Sequence, residues 1–281
     1  MMKSKDLWSV AVRDQKGVIH VKKEQLRPMP KALKLPFIRG VYALYQSLAL
    51  GVKAINYSAS KAIDEEEEKP MSSATITLTM AFAFVMGIGI FLFLPLYLTK
   101  LIGLMVRPVA ESSFLFNIAD GILRVGFFVV YIFVISLWKD MRRIFEYHGA
   151  EHKVIFAFEA GTDMQLSSIK KFGTHHPRCG TSFLFIVMLM SILIFSIIPK
   201  EWAFSWKFAS RVVLIPMIAG LSYEVLRYSA SASANPIIKF LIQPGLLLQR
   251  ITTKEPDDAQ IEVALRALTE VVPGVRPEQV S

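Results

Sequence analysis

Cysteine is almost absent from this 281-residue chain. Cys179 stands alone, so no disulfide can form within the chain, and a single reduced thiol fits a cytoplasmic setting. Histidine is scarce, at five residues. Charged residues make up only 20% against 53% hydrophobic, with a mean hydropathy of +0.43. A soluble domain of this length is less apolar, so a membrane protein is the class that remains. No basic stretch is interleaved with aromatics, which argues against a nucleic-acid partner despite a formal net charge of +9. In a membrane protein that charge reflects Lys and Arg flanking the spans. The opening MMKSKDLWSV holds no apolar run of the kind a cleavable signal peptide needs. No internal repeat is visible, which weighs against a transporter built from inverted halves.

Long apolar runs are what the chain has instead. Four are predicted to span a bilayer, which takes roughly 20 residues each. Residues 75–99 and 181–199 carry no charge. Residues 115–138 carry Asp120 and Arg124, and residues 208–228 carry Arg211, Glu224 and Arg227. Lys and Arg number 13 in residues 1–74 and seven in 139–180, against two each in 100–114 and 200–207. The positive-inside rule then puts both termini and the 139–180 loop in the cytoplasm.

The rest reads as surface structure. WSVAVRDQKGVIHVKK predicts a small N-terminal β-hairpin turning at Asp14-Gln15-Lys16-Gly17. Residues 35–63 are apolar but interrupted by Arg39, Gln46, Lys53 and Asn56, as in an interfacial helix or one packed on the span bundle. DEEEEK, 64–69, reads as a solvated hinge. SASANP ends the fourth span, and 236–252, broken by Pro244-Gly245, predicts a re-entrant or surface-lying segment. Residues 255–272 predict an amphipathic helix with Asp257 or Asp258 as N-cap and Ile261, Ala264, Leu265 and Leu268 on its apolar face. The expected class is therefore mainly α: a polytopic helical membrane protein with about four transmembrane helices, interfacial helices and a small hairpin. Its expected parts are a cytoplasmic hairpin and interfacial helix (1–74), helices one and two (75–138), a cytoplasmic His/Cys-rich loop (139–180), helices three and four (181–228) and a cytoplasmic interfacial segment with an amphipathic helix (229–281).

Chemistry concentrates in one place. Four of the five histidines and the only cysteine fall between 148 and 179. On a helix His148 and His152, at i and i+4, share a face and can hold one divalent metal, with Glu151 beside them. This is the reversed zincin order H-x-x-E-H, in which the glutamate is general base to zinc-activated water. Further ligands are sought in Glu159, two turns on, and in His176 and Cys179, whose H-x-x-C spacing suits a tight metal-binding turn shaped by Pro177 and Gly180. If His148, His152, His176 and Cys179 all bind, the zinc is structural. If one does not, the site is open and Glu151 has a water to activate. Lys153 and Arg178 would stabilise developing negative charge or grip an anionic lipid or peptide carboxylate. Gly149, inside the motif, lowers helix propensity by about 1 kcal/mol relative to Ala. Within the spans, Asp120 and Arg124 can pair at i, i+4, and with Arg227 are expected near the ends, snorkelling to the interface. A polar groove inside the bundle is the alternative.

YHGAEHK, HPRCGTSF, NYSA before an acidic run, and LQRITTKEPDD, in this order over nearly the whole chain, resemble the YqhQ family of bacterial membrane proteins. That family is described as a domain of unknown function and a predicted metal-dependent enzyme. The resemblance implies a bacterial plasma-membrane location and a metal site, with His148, Glu151, His152 and Lys153 in one box and His176, Arg178 and Cys179 in another. His175 falls just outside. One departure stands out: family members begin with a glycine-rich segment, and here the chain starts at Met1-Met2-Lys3 as if inside it. Two functions follow as expectations. One is a zinc-dependent enzyme, a hydrolase at the cytoplasmic membrane face. The other is a non-enzymatic biogenesis or scaffold factor with a structural His/Cys clip, partnering membrane lipids and other membrane proteins or nascent membrane segments.

Overall fold

The structure, a computed structural model, describes residues 1–62, 73–177, 179–199, 201–229 and 236–272. The acidic run at 64–69, most of SASANP and Arg178 lie outside the described residues. Three antiparallel strands come first: β1 (Met2–Lys3), β2 (Leu7–Arg13) and β3 (Ile19–Gln25), in that order across the sheet. The expected hairpin is β2–β3, with Arg13 opposite Ile19. β1 is an added strand.

Eleven α-helices follow among the described residues: α1 (Ile38–Ala62), α2 (Ser73–Ile88), α3 (Leu94–Met105), α4 (Arg107–Glu111), α5 (Ser113–Ser136), α6 (Lys139–Glu159), α7 (Leu166–Ile169), α8 (Gly180–Phe195), α9 (Phe204–Ser229), α10 (Pro236–Thr252) and α11 (Asp258–Val271). A π-helical turn, Gly89–Phe93, joins α2 to α3. Among the described residues three helices are long and apolar enough to cross a membrane: Leu78–Met105, α5 and α9. The expected third span is shorter. α8 has 16 residues, or about 24 Å at 1.5 Å per residue, against the roughly 30 Å of a hydrocarbon core.

The extramembrane part is built on strand alternation. Trp8, Val10 and Val12 face α1 through Leu50, Ala54 and Tyr57. Leu7 and Ala11, on the other face, pack with α11 and α6, and Ser9 Oγ donates to the Ala267 carbonyl at 2.6 Å. Successive side chains of a strand point to opposite faces, so one strand serves both layers. α11 starts with a capping box. Asp257 accepts from the Gln260 N–H, and the Gln260 side chain accepts from the Asp257 N–H. Its face of Ile261, Ala264, Leu265 and Leu268 is buried against α6.

Two features depart from the sequence reading. α10 does not break at Pro244-Gly245. It runs through Pro244 and lies on α8, where Gly245 meets Ser182 so closely that a Cβ would sit 2.9 Å from its Cα. Asp120 and Arg124 pair as expected, at 2.8 Å, yet they do not snorkel. Asp120 is 0% exposed and Arg124 7%, because Arg211 reaches across from α9 and donates to Asp120 Oδ2 from Nε at 3.2 Å and from Nη2 at 3.0 Å. Glu224, near the end of α9, pairs with Arg39 of α1.

Candidate metal centre

α6 carries His148 and His152 one turn apart, with ring centroids 4.4 Å from each other. The loop after α7 returns the chain so that Cys179, the N-cap of α8, meets them. One ligand atom from each of His148, His152 and Cys179 lies within 4.8 Å of the others. Three local arrangements put them there. His148 Nδ1 donates to the Thr252 carbonyl at 2.8 Å, and His152 Nδ1 donates to the Thr174 carbonyl. A carbonyl can only accept, so both rings carry their proton on Nδ1 and turn Nε2 inward. His148 Nε2 stands 3.2 Å from Cys179 Sγ. Gln249, fully buried on α10, locks the loop: it accepts from the His176 N–H at 2.7 Å and donates to the His176 carbonyl and to Ser182 Oγ.

Gly149 explains how α10 and its following loop come so near. The Lys254 N–H donates to the Phe145 carbonyl at 2.9 Å, and the Lys254 carbonyl lies where a Cβ on Gly149 would be, 2.0 Å away. The backbone can only approach α6 this closely over a glycine. Thr252, which orients His148, is two residues away.

The charges in the cluster are coupled. Burial disfavours a charge on His148, but the hydrogen bond and charge of Cys179, the Thr252 carbonyl and, through space, Glu151 outweigh it and hold its pKa above the ordinary value. Burial alone would push the Cys179 thiol up. Hydrogen bonds from His148 and His152, the His148 charge and the Thr181 hydroxyl bring it down instead, to about 5. Its place at the N-terminus of α8 works in the same direction. Metal-free protein should therefore hold Cys179 as a thiolate at neutral pH. The rate of its alkylation by a small iodoacetamide should rise as pH climbs through about 5 and be level at neutrality. His148→Ala should move the inflection toward the ordinary thiol value of about 8.5. An inflection already there in the wild type would contradict the coupling.

The other sequence candidates are placed elsewhere. His176 stands beside the cluster, its ring centroid 5.7 Å from that of His152, but its Nε2 lies 3.3 Å from Glu159 Oε2 and its ring packs on Phe156. Glu159 is thus with His176. Glu151 contacts the Met1 amino group and lines a cleft of about 640 Å³ beside β2 and α1. Lys153 is buried as a clamp, donating to the carbonyls of Lys170 at 2.9 Å and Phe172 at 2.7 Å and pairing with Glu255. On His175, burial and then the charge of Arg250 lower the pKa. No role for the supporting groups Thr174, Gln249 and Thr252 follows from the sequence reading. The signal for the last two is their place in LQRITTKEPDD, one of the stretches that carry the family resemblance.

The donor set suits a thiophilic divalent ion. Zinc takes Cys sulfur at about 2.3 Å and His nitrogen at about 2.0–2.1 Å, which separates tetrahedral donors by roughly 3.3–3.8 Å. The candidate donor atoms lie within 4.8 Å of one another, so that spacing would need only small side-chain shifts. Second hydrogen bonds from ligating imidazoles to backbone carbonyls are the usual outer support of such centres. Beside the cluster a groove of about 550 Å³ opens between α1, α8 and α9, with His148 and Cys179 in its wall.

A family model described as "Protein of unknown function (DUF1385)" matches residues 35–273. The chain is 30% identical over 285 residues to "Uncharacterized protein YqhQ" of Bacillus subtilis (strain 168), with 97% of this chain and 89% of that protein covered. No solved structure matches it.

Proposed function

The chain belongs to the DUF1385 family, and from that premise and the geometry of the cluster we propose a metal-dependent membrane enzyme, with zinc the metal and His148, His152 and Cys179 its ligands. The observation that carries this reading is the pair of Nδ1 hydrogen bonds to Thr252 and Thr174, which present two Nε2 atoms to one thiolate. Among the described residues three side chains, His148, His152 and Cys179, offer donor atoms within 4.8 Å of one another, the number found in catalytic rather than structural zinc sites. Zinc so held would polarise a carbonyl and lower the pKa of a coordinated water, which points to hydrolysis. The chain's own residues hold the rings rigid, exclude bulk water with the walls of α1, α8 and α9, and stabilise negative charge at the N-terminus of α8. Glu151 acts on His148 by its charge, and Lys153 holds the 170–172 turn that leads to Thr174. We place the chain in a bacterial plasma membrane, both termini and the centre on the cytoplasmic side, following the Lys and Arg distribution.

A second reading is favoured by the 3.2 Å His148–Cys179 approach: the thiolate itself is the nucleophile in acyl transfer, with His148 oriented by Thr252. Metal content separates the two. Elemental mass spectrometry of detergent-purified protein never exposed to chelator is expected to find about one zinc per chain. His152→Ala and His148→Ala should lose it. A folded wild type without metal would overturn the zinc reading and leave the thiolate one.

A further inference from the structure

We propose that the groove beside the centre takes one acyl chain of an anionic membrane phospholipid, with the ester end of the chain at His148 and Cys179. This rests on the reading of that cluster as the active centre.

The groove has one polar end. His148 and Cys179 stand there with Thr181, while its walls are apolar or small. On α1 the lining residues Gly40, Ala43, Leu44 and Ser47 recur at i, i+3, i+4 and i+7, a single helix face. Phe183 and Leu184 come from the first turns of α8, and Tyr223 and Leu226 from the last turns of α9. A ligand that matches these walls is apolar along its length and polar at one tip. Its size is limited as well. A helix about 10 Å across fills roughly 400 Å³ per turn, so about 550 Å³ would hold little more than one turn of a peptide helix. A single hydrocarbon chain is the better match.

The source follows from what surrounds the groove. The outer side of α1 exposes Ile38, Val41, Tyr45, Leu48 and Ile55, spaced by three, four or seven residues into one apolar stripe. α9 exposes Val213, Ile215 and Met217. One wall of the groove, Tyr223 and Leu226, belongs to α9, a helix apolar enough to cross a membrane. Charge sets the headgroup. Arg227 is exposed and shares a helix face with the groove residue Tyr223, at i+4 from it. Glu224, three residues before Arg227, is already paired with Arg39. An anionic headgroup fits that end better than a zwitterionic one.

The test uses the full chain in vesicles of phosphatidylglycerol and phosphatidylcholine. Trace lipid of either type, or free fatty acid, carries a diazirine on its acyl chain, and adducts are mapped by mass spectrometry after illumination. Labelled phosphatidylglycerol should mark Ala43, Leu44, Phe183 or Leu226 more than labelled phosphatidylcholine or fatty acid does. Ala43→Trp, which fills the groove, should cut those adducts about tenfold while zinc content stays at the wild-type level. Leu226→Trp fills it from the opposite wall and should do the same. Adducts confined to outward residues such as Val213 would overturn the proposal, as would labelling by fatty acid alone or equal labelling in the tryptophan variants. Groove adducts blocked by an added apolar peptide that itself crosslinks there would overturn it in favour of a polypeptide. Groove adducts on a wild type without metal would leave the groove assignment standing and sink the zinc centre. Full zinc with no groove adducts would do the reverse.

Discussion

Gly149→Ala should destabilise the protein by about 2–4 kcal/mol, although alanine is the better helix former by about 1 kcal/mol. The added methyl would sit 2.0 Å from the Lys254 carbonyl oxygen and 3.3 Å from Thr174 Cγ2. Neither neighbour is free to give. The Lys254 N–H is bonded to Phe145 on the same helix, and the Thr174 carbonyl holds His152. Relief of the overlap must push residues 252–254 off α6, which takes the Thr252 carbonyl away from His148 Nδ1. The loss should therefore appear twice: as a lower apparent unfolding temperature in detergent, and as zinc affinity reduced about 10–100-fold in chelator competition. A variant as stable as the wild type, or more so, would show that helix propensity outweighs the contact and that the approach of Lys254 is wrongly placed.

Asp120→Ala should be at least as damaging, by about 3–5 kcal/mol. It leaves Arg124 and Arg211 in the bundle interior with no counter-charge, and Asp120 Oδ2 is the acceptor for both. Asn117 Oδ1 and Ser191 Oγ remain as neutral acceptors, at 3.0 and 3.4 Å. The cluster holds two arginines and one aspartate, so Arg124→Leu removes the excess charge and should cost less than Asp120→Ala. Thermal unfolding of the two variants in one detergent checks the order. Arg124→Leu being the worse of the two would contradict the account.

These sites also show what could be read from the chain alone. The Asp120–Arg124 pair is legible because its spacing is one helical turn. Its burial is not, because the third member, Arg211, comes from 91 residues away. The β2–β3 hairpin and the α11 face follow from local periodicity and turn chemistry, and both formed where expected. The break expected at Pro244-Gly245 follows from local rules, whereas α10 is continuous there and the glycine serves a close contact with Ser182. The cluster was half legible. The i, i+4 spacing of His148 and His152 sets them on one face, but nothing in the H-x-x-C turn tells which of His176 and Cys179 faces inward. That choice is made by Gln249, which grips both backbone groups of His176, and by Glu159 and Phe156, which receive its ring. Gly149 looked like a defect in a helical motif. It is the point at which a distant loop comes close enough to orient His148.

The central claim is a three-donor metal centre with an open position toward the groove, and cobalt(II) substitution tests it most directly. The cobalt protein should show the visible bands of a tetrahedral ion together with a near-ultraviolet thiolate-to-cobalt band. Cys179→Ser should lose the thiolate band, His176→Ala should keep it, and added cyanide should shift the visible bands by taking the open position. Failure to bind cobalt, or a spectrum unchanged by Cys179→Ser, would contradict the account.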